Sequence, residues 1–308
     1  MSGQKKPVPF LDREVAEAEE FRGRMRDRLS GTHKISRLSR RTIPRKGKRE
    51  VHLIVGDSHA HTDESNHRFE ALGRMVKDLS PNCVIDIGDS ADMSSLLGFE
   101  SGSKTALFEG HSYWRDIDIY RDAKERFRHF MGNNKKCRLV RLIGNHEERI
   151  DRVLVVEPRF RGVIGIEDLG DVDMGWEVVP FLDPIEISGV VYSHYFKAPG
   201  RKNPVAGVVP ARAVLMKYPG SFTRIFGHTH QLGYFEEADG TPGQPGKKIT
   251  SINAGCYFDP EMSGMRWAAT DSNRWRAGIL VIEVEGDGQV RSWKWYDFWD
   301  IQRTWGKS

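Results

Sequence analysis

An α/β fold is predicted for most of this 308-residue chain. Three observations from position 51 onward indicate it: short runs rich in valine and isoleucine, helical patterns between those runs, and glycine-marked turns where the runs end. Apolar residues make up 38% of the chain and charged residues 29%, which is typical of a globular protein with a full core.

Eight apolar runs have the length and composition of β-strands. They are Val51–Val55, Cys83–Ile87, Arg138–Ile143, Val190–Ser193, Thr223–Phe226, Lys248–Asn253, Gly278–Val284 and Val290–Tyr296. A crossover helix is predicted between the first two runs, where apolar residues recur at helical spacing from Phe69 to Leu79. A strand–helix–strand unit of that length predicts parallel neighbours.

The segment from about 93 to 133 is interpreted as an insertion between the second and third strands. Its second half has apolar and aromatic residues at helical spacing, from Trp114 to Phe130. Its first half, SSLLGFESGSKTALFEGHSYW, mixes polar, glycine and aromatic residues. We interpret it as a cap over the site; a plain crossover helix with a long loop is the alternative.

Residues 1–50 differ from the rest and are predicted to form an N-terminal helix and a basic arm, ahead of a main domain at 51–308. Asp12 is a candidate cap for a short helix with one apolar stripe. Eight lysines and arginines and no acidic residue lie between Lys34 and Arg49. Such a run is typical of a solvated linker, and the alternative is contact with the phosphates of DNA or RNA.

Two further segments are interpreted as structural. Trp293 and Trp295 alternate with Lys294 and predict a half-buried edge strand, although aromatic residues among basic ones can also stack on bases. The stretch Gly240–Lys248 fails the spacing of a phosphate-binding loop and predicts a hairpin turn.

The composition argues against a membrane or secreted protein. No stretch approaches the roughly 18 apolar residues of a membrane helix, and no secretory signal is visible at the N-terminus. The three cysteines are widely spaced and predict free thiols in a reducing compartment. We expect a cytoplasmic protein, in the host cytoplasm if a phage encodes it.

Residues with metal-binding side chains follow five of the predicted strands. They lie in GDSHAH (Asp57, His59), GDSAD (Asp89, Asp92), GNHE (Asn145, His146), VVYSH (His194) and GHTH (His228, His230). Ligands of α/β sheets bind beyond the carboxyl ends of strands, so these side chains are expected at one shared edge. Mixed Asp, Asn and His ligation suits Mn, Fe, Zn, Ni or Co, with Mn our preferred choice.

The five motifs, in this order, resemble the signature of the calcineurin-like metallophosphoesterase superfamily between about positions 51 and 296. The resemblance implies a four-layer α/β/β/α fold, in which helices flank a two-sheet β-sandwich, and a site for two divalent metal ions. One ion would be held by Asp57, His59 and His230, the other by Asn145, His194 and His228, with Asp89 bridging. His146 would be the general acid or a transition-state stabiliser, and Asp92 would orient it; a turn cap is the alternative for Asp92.

The match differs from the protein phosphatases of the superfamily. Ala60 and Met93 replace residues of their motifs, the final histidine His230 is present, and their phosphate-binding arginine is absent from its usual place. Arg149, Arg201 and Lys202 are candidates to replace it, each with a solvated charge as the alternative. GDSADMSSL with the following FEG segment also resembles phosphoesterases of tailed phages.

The predicted function is phosphoester hydrolysis, in which a hydroxide bridging the two metal ions attacks the phosphorus. The differences from the protein phosphatases favour a phosphodiesterase or nuclease acting on nucleic acid or nucleotides. The alternatives are a phosphomonoesterase, including a protein phosphatase, and a nucleic-acid-binding protein that keeps the fold without the activity.

Overall fold

The structure is a computed structural model that describes residues 48–97, 112–205, 207–218, 220, 222–239, 247–261 and 274–306. The predicted N-terminal helix, all of the basic arm before Lys48 and most of the predicted cap lie outside these ranges. Arg49 is already the first residue of the first strand, so the end of the predicted arm belongs to a sheet.

Eleven strands in the described residues form two mixed sheets, of six and five strands. They are β1 (Arg49–Val55), β2 (Cys83–Asp86), β3 (Arg138–Leu142), β4 (Glu177–Val179), β5 (Ile185–Ile187), β6 (Val190–Tyr192), β7 (Thr223–Phe226), β8 (Leu232–Asp239), β9 (Lys247–Ala254), β10 (Gly278–Glu285) and β11 (Val290–Asp297). The first sheet has the order β11-β10-β1-β2-β3-β4 and the second β5-β6-β7-β9-β8.

Five α-helices accompany the sheets in the described residues. They are α1 (His67–Leu79), α2 (Tyr113–Met131), α3 (Glu148–Val156), α4 (Pro210–Lys217) and α5 (Phe298–Trp305). The predicted crossover helix is α1, and β1 and β2 are parallel as predicted. The helical second half of the insertion is also confirmed, as α2.

The two sheets pack face to face through a shared apolar core. Ile54 of β1 and Leu280 of β10 belong to the same buried cluster as Tyr192, Ile225 and Ile252 of the second sheet. The side chains on either side of Ile54 point to the opposite face, where Leu53 and Val55 pack in a second cluster with α1 and α2. This alternation is the period of two that a strand buried on both faces requires.

A third buried cluster covers the outer face of the second sheet. There Val214 of α4 packs with Phe226 of β7 and Phe196. The described residues thus form layers of helix, sheet, sheet and helix, which confirms the predicted α/β class with two packed sheets.

All eight predicted strands are present, with bounds shifted by at most two residues. The prediction missed three strands, β4, β5 and β8, and three helices, α3, α4 and α5. The predicted hairpin turn lies outside the described residues, but the strands on either side of it, β8 and β9, pair antiparallel. β11 is an edge strand as predicted, with Trp293 43% exposed.

The three cysteines, Cys83, Cys137 and Cys256, are buried free thiols, as predicted. Among the described residues, no helix has both the length and the apolar character of a membrane span.

Candidate metal centre

The predicted metal-binding side chains follow the carboxyl ends of five strands from both sheets. β1, β2 and β3 are parallel neighbours, as are β6 and β7. Parallel strands end at the same edge, so their following loops meet there. The side chains delivered to this edge are Asp57 and His59 after β1, Asp89 and Asp92 after β2, Asn145 and His146 after β3, His194 after β6, and His228 and His230 after β7.

Among the described residues, three groups of three side chains have the spacing of metal ligands. One of them is His59, Asp92 and His146, and the other two consist only of predicted ligands. In each group, one ligand atom per residue lies within 4.8 Å of the others. Of the two groups of predicted ligands, the first is Asp57, His59 and His230, and the second is Asp89, His194 and His228. They coincide with the two ligand sets implied by the sequence resemblance, with Asp89 placed in the second.

The amide side chain of Asn145 joins the second group. Its Oδ1 lies 2.9 Å from Nε2 of His194, and Oδ2 of Asp89 lies 3.3 Å from the same nitrogen. Nδ1 of His194 lies 3.0 Å from the carbonyl oxygen of Ile87, which can only accept a hydrogen bond. Nδ1 is therefore the donor, and Nε2 is directed at the two oxygens that would share a cation with it.

One carboxylate oxygen in the first group has no hydrogen-bond partner. Asp57 is fully buried; its Oδ2 accepts from the backbone N–H of His228 at 2.8 Å, whereas Oδ1 is unpartnered. Nε2 of His59 lies 3.3 Å from Nε2 of His230, and a carboxylate oxygen of Asp57 lies within 4.8 Å of a ring nitrogen of each. A buried polar group without a partner is costly, and a divalent cation would satisfy all three atoms.

The electrostatics of the site favour neutral imidazoles in most positions. Burial lowers the pKa of His228 to about 4, with the charge of His194 adding to the fall, and burial also lowers the pKa of His59 and His230. Neutral imidazole is the form that binds a metal ion. Burial acts in the same direction on His194, but the charges of Asp89 and Asp57 outweigh it and raise its pKa to about 9.

The carboxylates of the two groups repel each other. Burial raises the pKa of Asp57, and the charge of Asp89 adds to the rise. Without cations, the charges of Asp89 and Asp57 favour a proton on His194, and burial together with the charge of Asp89 favours one on Asp57. Positive charge from bound ions would take the place of those protons, which is the chemistry expected of a metal centre.

Four of the predicted ligands have a left-handed backbone. The φ angles are 41° at His59, 51° at Asp89, 70° at His228 and 57° at His230. This conformation is uncommon outside glycine and costs of order 1–3 kcal/mol per residue, so it persists where the surroundings enforce it. Its concentration in three loops of one edge is typical of a functional site.

Most glycines in the ligand loops are needed because other atoms approach their backbone closely, and not because the turn requires an unusual φ angle. At Gly88 the φ angle of 107° does require glycine. At Gly144, a Cβ would lie 2.1 Å from Oδ1 of Asp89, and at Gly227 it would lie 2.6 Å from Oδ2 of Asp57. A side chain at either position would displace a predicted ligand.

Asp92 lies between two histidines and is closer to the metal ligand than to the predicted acid. Its Oδ1 is 2.9 Å from Nδ1 of His59 and 3.4 Å from Nδ1 of His146. The nearer contact makes Asp92 an outer carboxylate that holds a ligand imidazole in place. His146 instead has its Nδ1 2.7 Å from the backbone carbonyl oxygen of Asp92.

The three candidate phosphate-binding cations are placed differently. Arg149 is buried and donates to the carbonyl oxygen of Asp92 at 2.9 Å, with its guanidinium 3.1 Å from Nδ1 of His146. Arg149 thus supports the loop that carries Asp92. Arg201 and Lys202 are exposed in the loop after His194. His61, a further imidazole near the site, is buried with Nε2 4.0 Å from Oδ2 of Asp92.

Glu147 holds the ligand loops together, a role that the motif GNHE did not suggest. Fully buried, it accepts hydrogen bonds from the backbone N–H groups of Asp89 at 3.1 Å, Ala91 at 2.7 Å and Gly144 at 2.9 Å. Three amides from two loops thus converge on one carboxylate, which fixes Asp89 relative to Asn145 and His146.

A buried ionic cage, formed by Asp86, Lys124, Arg141, Glu147 and Asp171, lies beneath these loops. Arg141 donates to Glu147 at 2.7 Å, to Asp171 at 3.1 Å and to Asp86 at 3.2 Å. Asp86 also pairs with Lys124 of α2 and accepts from the N–H of Gly88 at 3.0 Å. The loop of Asp89 is therefore held from both sides by carboxylates that Arg141 links.

Arg68 supports the other ligand loop. From α1, this buried side chain donates to the carbonyl oxygens of Ser58 and His59, both at 2.9 Å. The sequence signal for these supports was a charged residue inside an apolar pattern, as with Asp86 in CVIDIG and Arg141 in RLVRLIG. Buried charges of this kind are rare unless they are paired.

Comparison of the chain with models of known protein families finds no match, and comparison with curated proteins finds none either. The resemblance to the calcineurin-like superfamily stays a prediction from the motifs.

Proposed function

We propose that this protein is a phosphoester hydrolase that uses two divalent metal ions, manganese by preference, and acts as a phosphodiesterase or nuclease on nucleic acid or nucleotides. The two ligand groups, one of which contains the buried and unpartnered Oδ1 of Asp57, carry the proposal. The layers of helix, sheet, sheet and helix are compatible with a metallophosphoesterase fold, which forms part of the proposal.

The ligand assignment follows the two groups. Asp57, His59 and His230 would hold one ion and Asn145, His194 and His228 the other, and Asp89 would bridge them. Bound ions would supply the Lewis acidity that activates an attacking water and neutralises charge on the phosphoryl oxygens. Burial of the ligands keeps this charge in a medium of low dielectric constant, where it acts strongly.

His146 is proposed to give a proton to the leaving oxygen. Its Nδ1 must donate to the carbonyl oxygen of Asp92, since that oxygen only accepts. Nε2, which lies 3.3 Å from Nη2 of Arg149, is the nitrogen proposed to carry the proton for the leaving oxygen. The His146 side chain is 14% exposed, whereas those of Asp57 and His194 are fully buried. It therefore lies on the open side of the site, where a substrate would arrive.

Metal dependence and ester preference test the proposal. Protein treated with a chelator is expected to be inactive and to regain activity with Mn, compared with Mg, Zn and Ni. Bis(4-nitrophenyl) phosphate is expected to exceed 4-nitrophenyl phosphate by about tenfold or more in kcat/KM, equivalent to about 1.4 kcal/mol of transition-state stabilisation. A preference for the monoester would support the phosphomonoesterase alternative. Nucleic-acid binding without hydrolysis under any metal would support the non-catalytic alternative.

Deletion of residues 1–47 tests the predicted basic arm and leaves β1 complete. The deletion would remove six of the arm's eight basic residues. If all six contact phosphates, their loss would flatten the slope of the logarithm of the DNA association constant against the logarithm of the salt concentration by as much as about 5. We expect weaker, less salt-dependent DNA binding and unchanged hydrolysis of the small diester. Identical DNA binding before and after deletion would mean that the segment is a solvated linker.

A further inference from the structure

Tyr195 places an aromatic ring against the second ligand group. It directly follows His194, and its ring centroid lies 4.8 Å from that of His228 and 5.5 Å from that of His194. The ring is partly exposed, on the open side of the site with His228. A planar group bonded to a phosphate on the metal ions would therefore meet this ring.

Packing against the second sheet does not explain the position of the Tyr195 ring. The next residue, Phe196, is 2% exposed and belongs to the buried cluster with Val214 and Phe226. Tyr195 lies outside that cluster and contacts Phe181 edge-on, with 5.7 Å between ring centroids. Phe181 therefore supports a ring that remains partly exposed.

A lysine lies over the same ring. Nζ of Lys197 is 5.8 Å from the centroid of Tyr195. Arg152 of α3, Glu148 and Asp89 also act on Tyr195 electrostatically, and bound metal ions would offset the charge of Asp89. An aromatic ring beside a lysine and a metal centre suits a ligand that is both planar and anionic, as a nucleotide is.

We infer that Tyr195 is a stacking platform for a nucleobase attached to the phosphate that the metal centre binds. The inference rests on the proposed function and narrows its substrate class to nucleotide esters. The base belongs to the alcohol that stays on the phosphate, because the leaving oxygen is assigned to the side of His146. Stacking on an aromatic side chain changes affinity by about tenfold per base, since alanine substitutions of such residues cost about 1–3 kcal/mol.

Two esters with the same leaving group test this inference. Thymidine 5′-(4-nitrophenyl phosphate) and methyl 4-nitrophenyl phosphate both release 4-nitrophenolate and differ only in the retained alcohol. With Mn present, the wild-type protein is expected to prefer the thymidine ester through a lower KM. Tyr195→Leu should reduce the ratio of the two kcat/KM values about tenfold, and Tyr195→Phe should keep the ratio. Equal loss on both esters, or an unchanged ratio, would overturn the inference.

A binding measurement separates this inference from the proposed activity. Titration calorimetry of the Mn-loaded protein is expected to show thymidine 5′-monophosphate binding about tenfold more tightly than inorganic phosphate, and Tyr195→Leu should remove that difference. Tyr234→Leu is the matched control, because Tyr234 stacks on Trp293 in β11 and should not affect either ratio. If neither ester is hydrolysed, the proposed function fails while this binding comparison still decides the role of Tyr195. Equal affinity of the wild-type protein for both ligands would overturn that role.

Discussion

Asp89→Asn is expected to reduce hydrolysis of bis(4-nitrophenyl) phosphate by at least about 100-fold, because outer residues of metal sites alone cost about 10–100-fold when they are replaced. Asparagine keeps the oxygen that accepts from the N–H of His146 at 2.9 Å. It also tolerates the left-handed backbone of position 89, so the loop conformation is preserved. The substitution removes the charge and the second oxygen, which lies 3.3 Å from Nε2 of His194. A neutral amide would hold two divalent cations much less strongly than a carboxylate.

The variant should also bind less metal and be less stable when metal-free. The amide removes the repulsion between Asp89 and Asp57, but it also removes the stronger attraction of Asp89 to two histidines. Burial opposes the charge of Asp89, but attraction to His194 and His146 outweighs it and holds the pKa of Asp89 well below its usual range. We therefore expect fewer Mn ions per chain by elemental analysis and a lower thermal midpoint of the metal-free protein, because the amide loses that attraction. Asp183→Asn, at an exposed position between β4 and β5, is the matched control and should leave both quantities unchanged. Full activity of Asp89→Asn would refute the assigned metal centre.

The strands that could be predicted from the sequence are those whose apolar composition reflects their burial. Runs such as VHLIV and RLVRLI are apolar because β1 and β3 are covered on both faces. β4 and β5 have only three residues each, too few to establish a period. β8, LGYFEEAD, is half-buried along most of its length and ends in acidic residues, so its composition resembles a loop. These three strands form because neighbouring strands pair with them, which is a tertiary cause.

Helix α5 was missed in the sequence for a different reason. Its sequence, FWDIQRTW, continues the aromatic composition of β11, and the boundary between them is set by Asp297, whose side chain accepts from the N–H of Trp299 at 3.0 Å. An N-cap aspartate of this kind is a local signal that the sequence did contain. The aromatic pattern of the tail concealed it.

The metal ligands were easier to predict than their supports. Each ligand lies within a short motif at a strand end, so spacing along the chain is enough to place it. Glu147 and Arg141 act across the fold: Arg141 joins Asp86, 55 positions away, to Asp171, 30 positions away. No local period encodes such pairings, because they depend on which strands become neighbours. The roles of Asp92 and Arg149 likewise depended on distances that only the folded chain defines.

Arg141→Met is expected to destabilise the protein by about 3–5 kcal/mol, because it leaves buried carboxylates without their cation. Arg141 is fully buried, and the carboxylates of Glu147, Asp171 and Asp86 all accept from it. A protein of ordinary stability has about 5–15 kcal/mol in total, so the loss is large. Chemical denaturation monitored by circular dichroism would measure the change in the free energy of unfolding.

Arg138→Met provides the matched control on the same strand. Arg138 pairs with Glu177 at 2.8 Å, but the two side chains are 24% and 27% exposed, and pairs of that kind contribute about 0–1 kcal/mol. The contrast between the two variants isolates the effect of the ionic cage from that of shortening an arginine in β3. Equal destabilisation by both would mean that the cage adds nothing beyond an ordinary ion pair.

The same variant connects stability to the metal centre. Without Arg141, Asp86 and Glu147 lose the group that links them, and these two carboxylates hold the turn before Asp89 and its backbone N–H. Mn affinity should therefore fall in Arg141→Met and stay at the wild-type value in Arg138→Met. Because metal binds the folded state, saturating Mn should stabilise the control as much as the wild type and Arg141→Met less. A cage that served stability alone would lower the free energy of unfolding in Arg141→Met and leave Mn affinity unchanged.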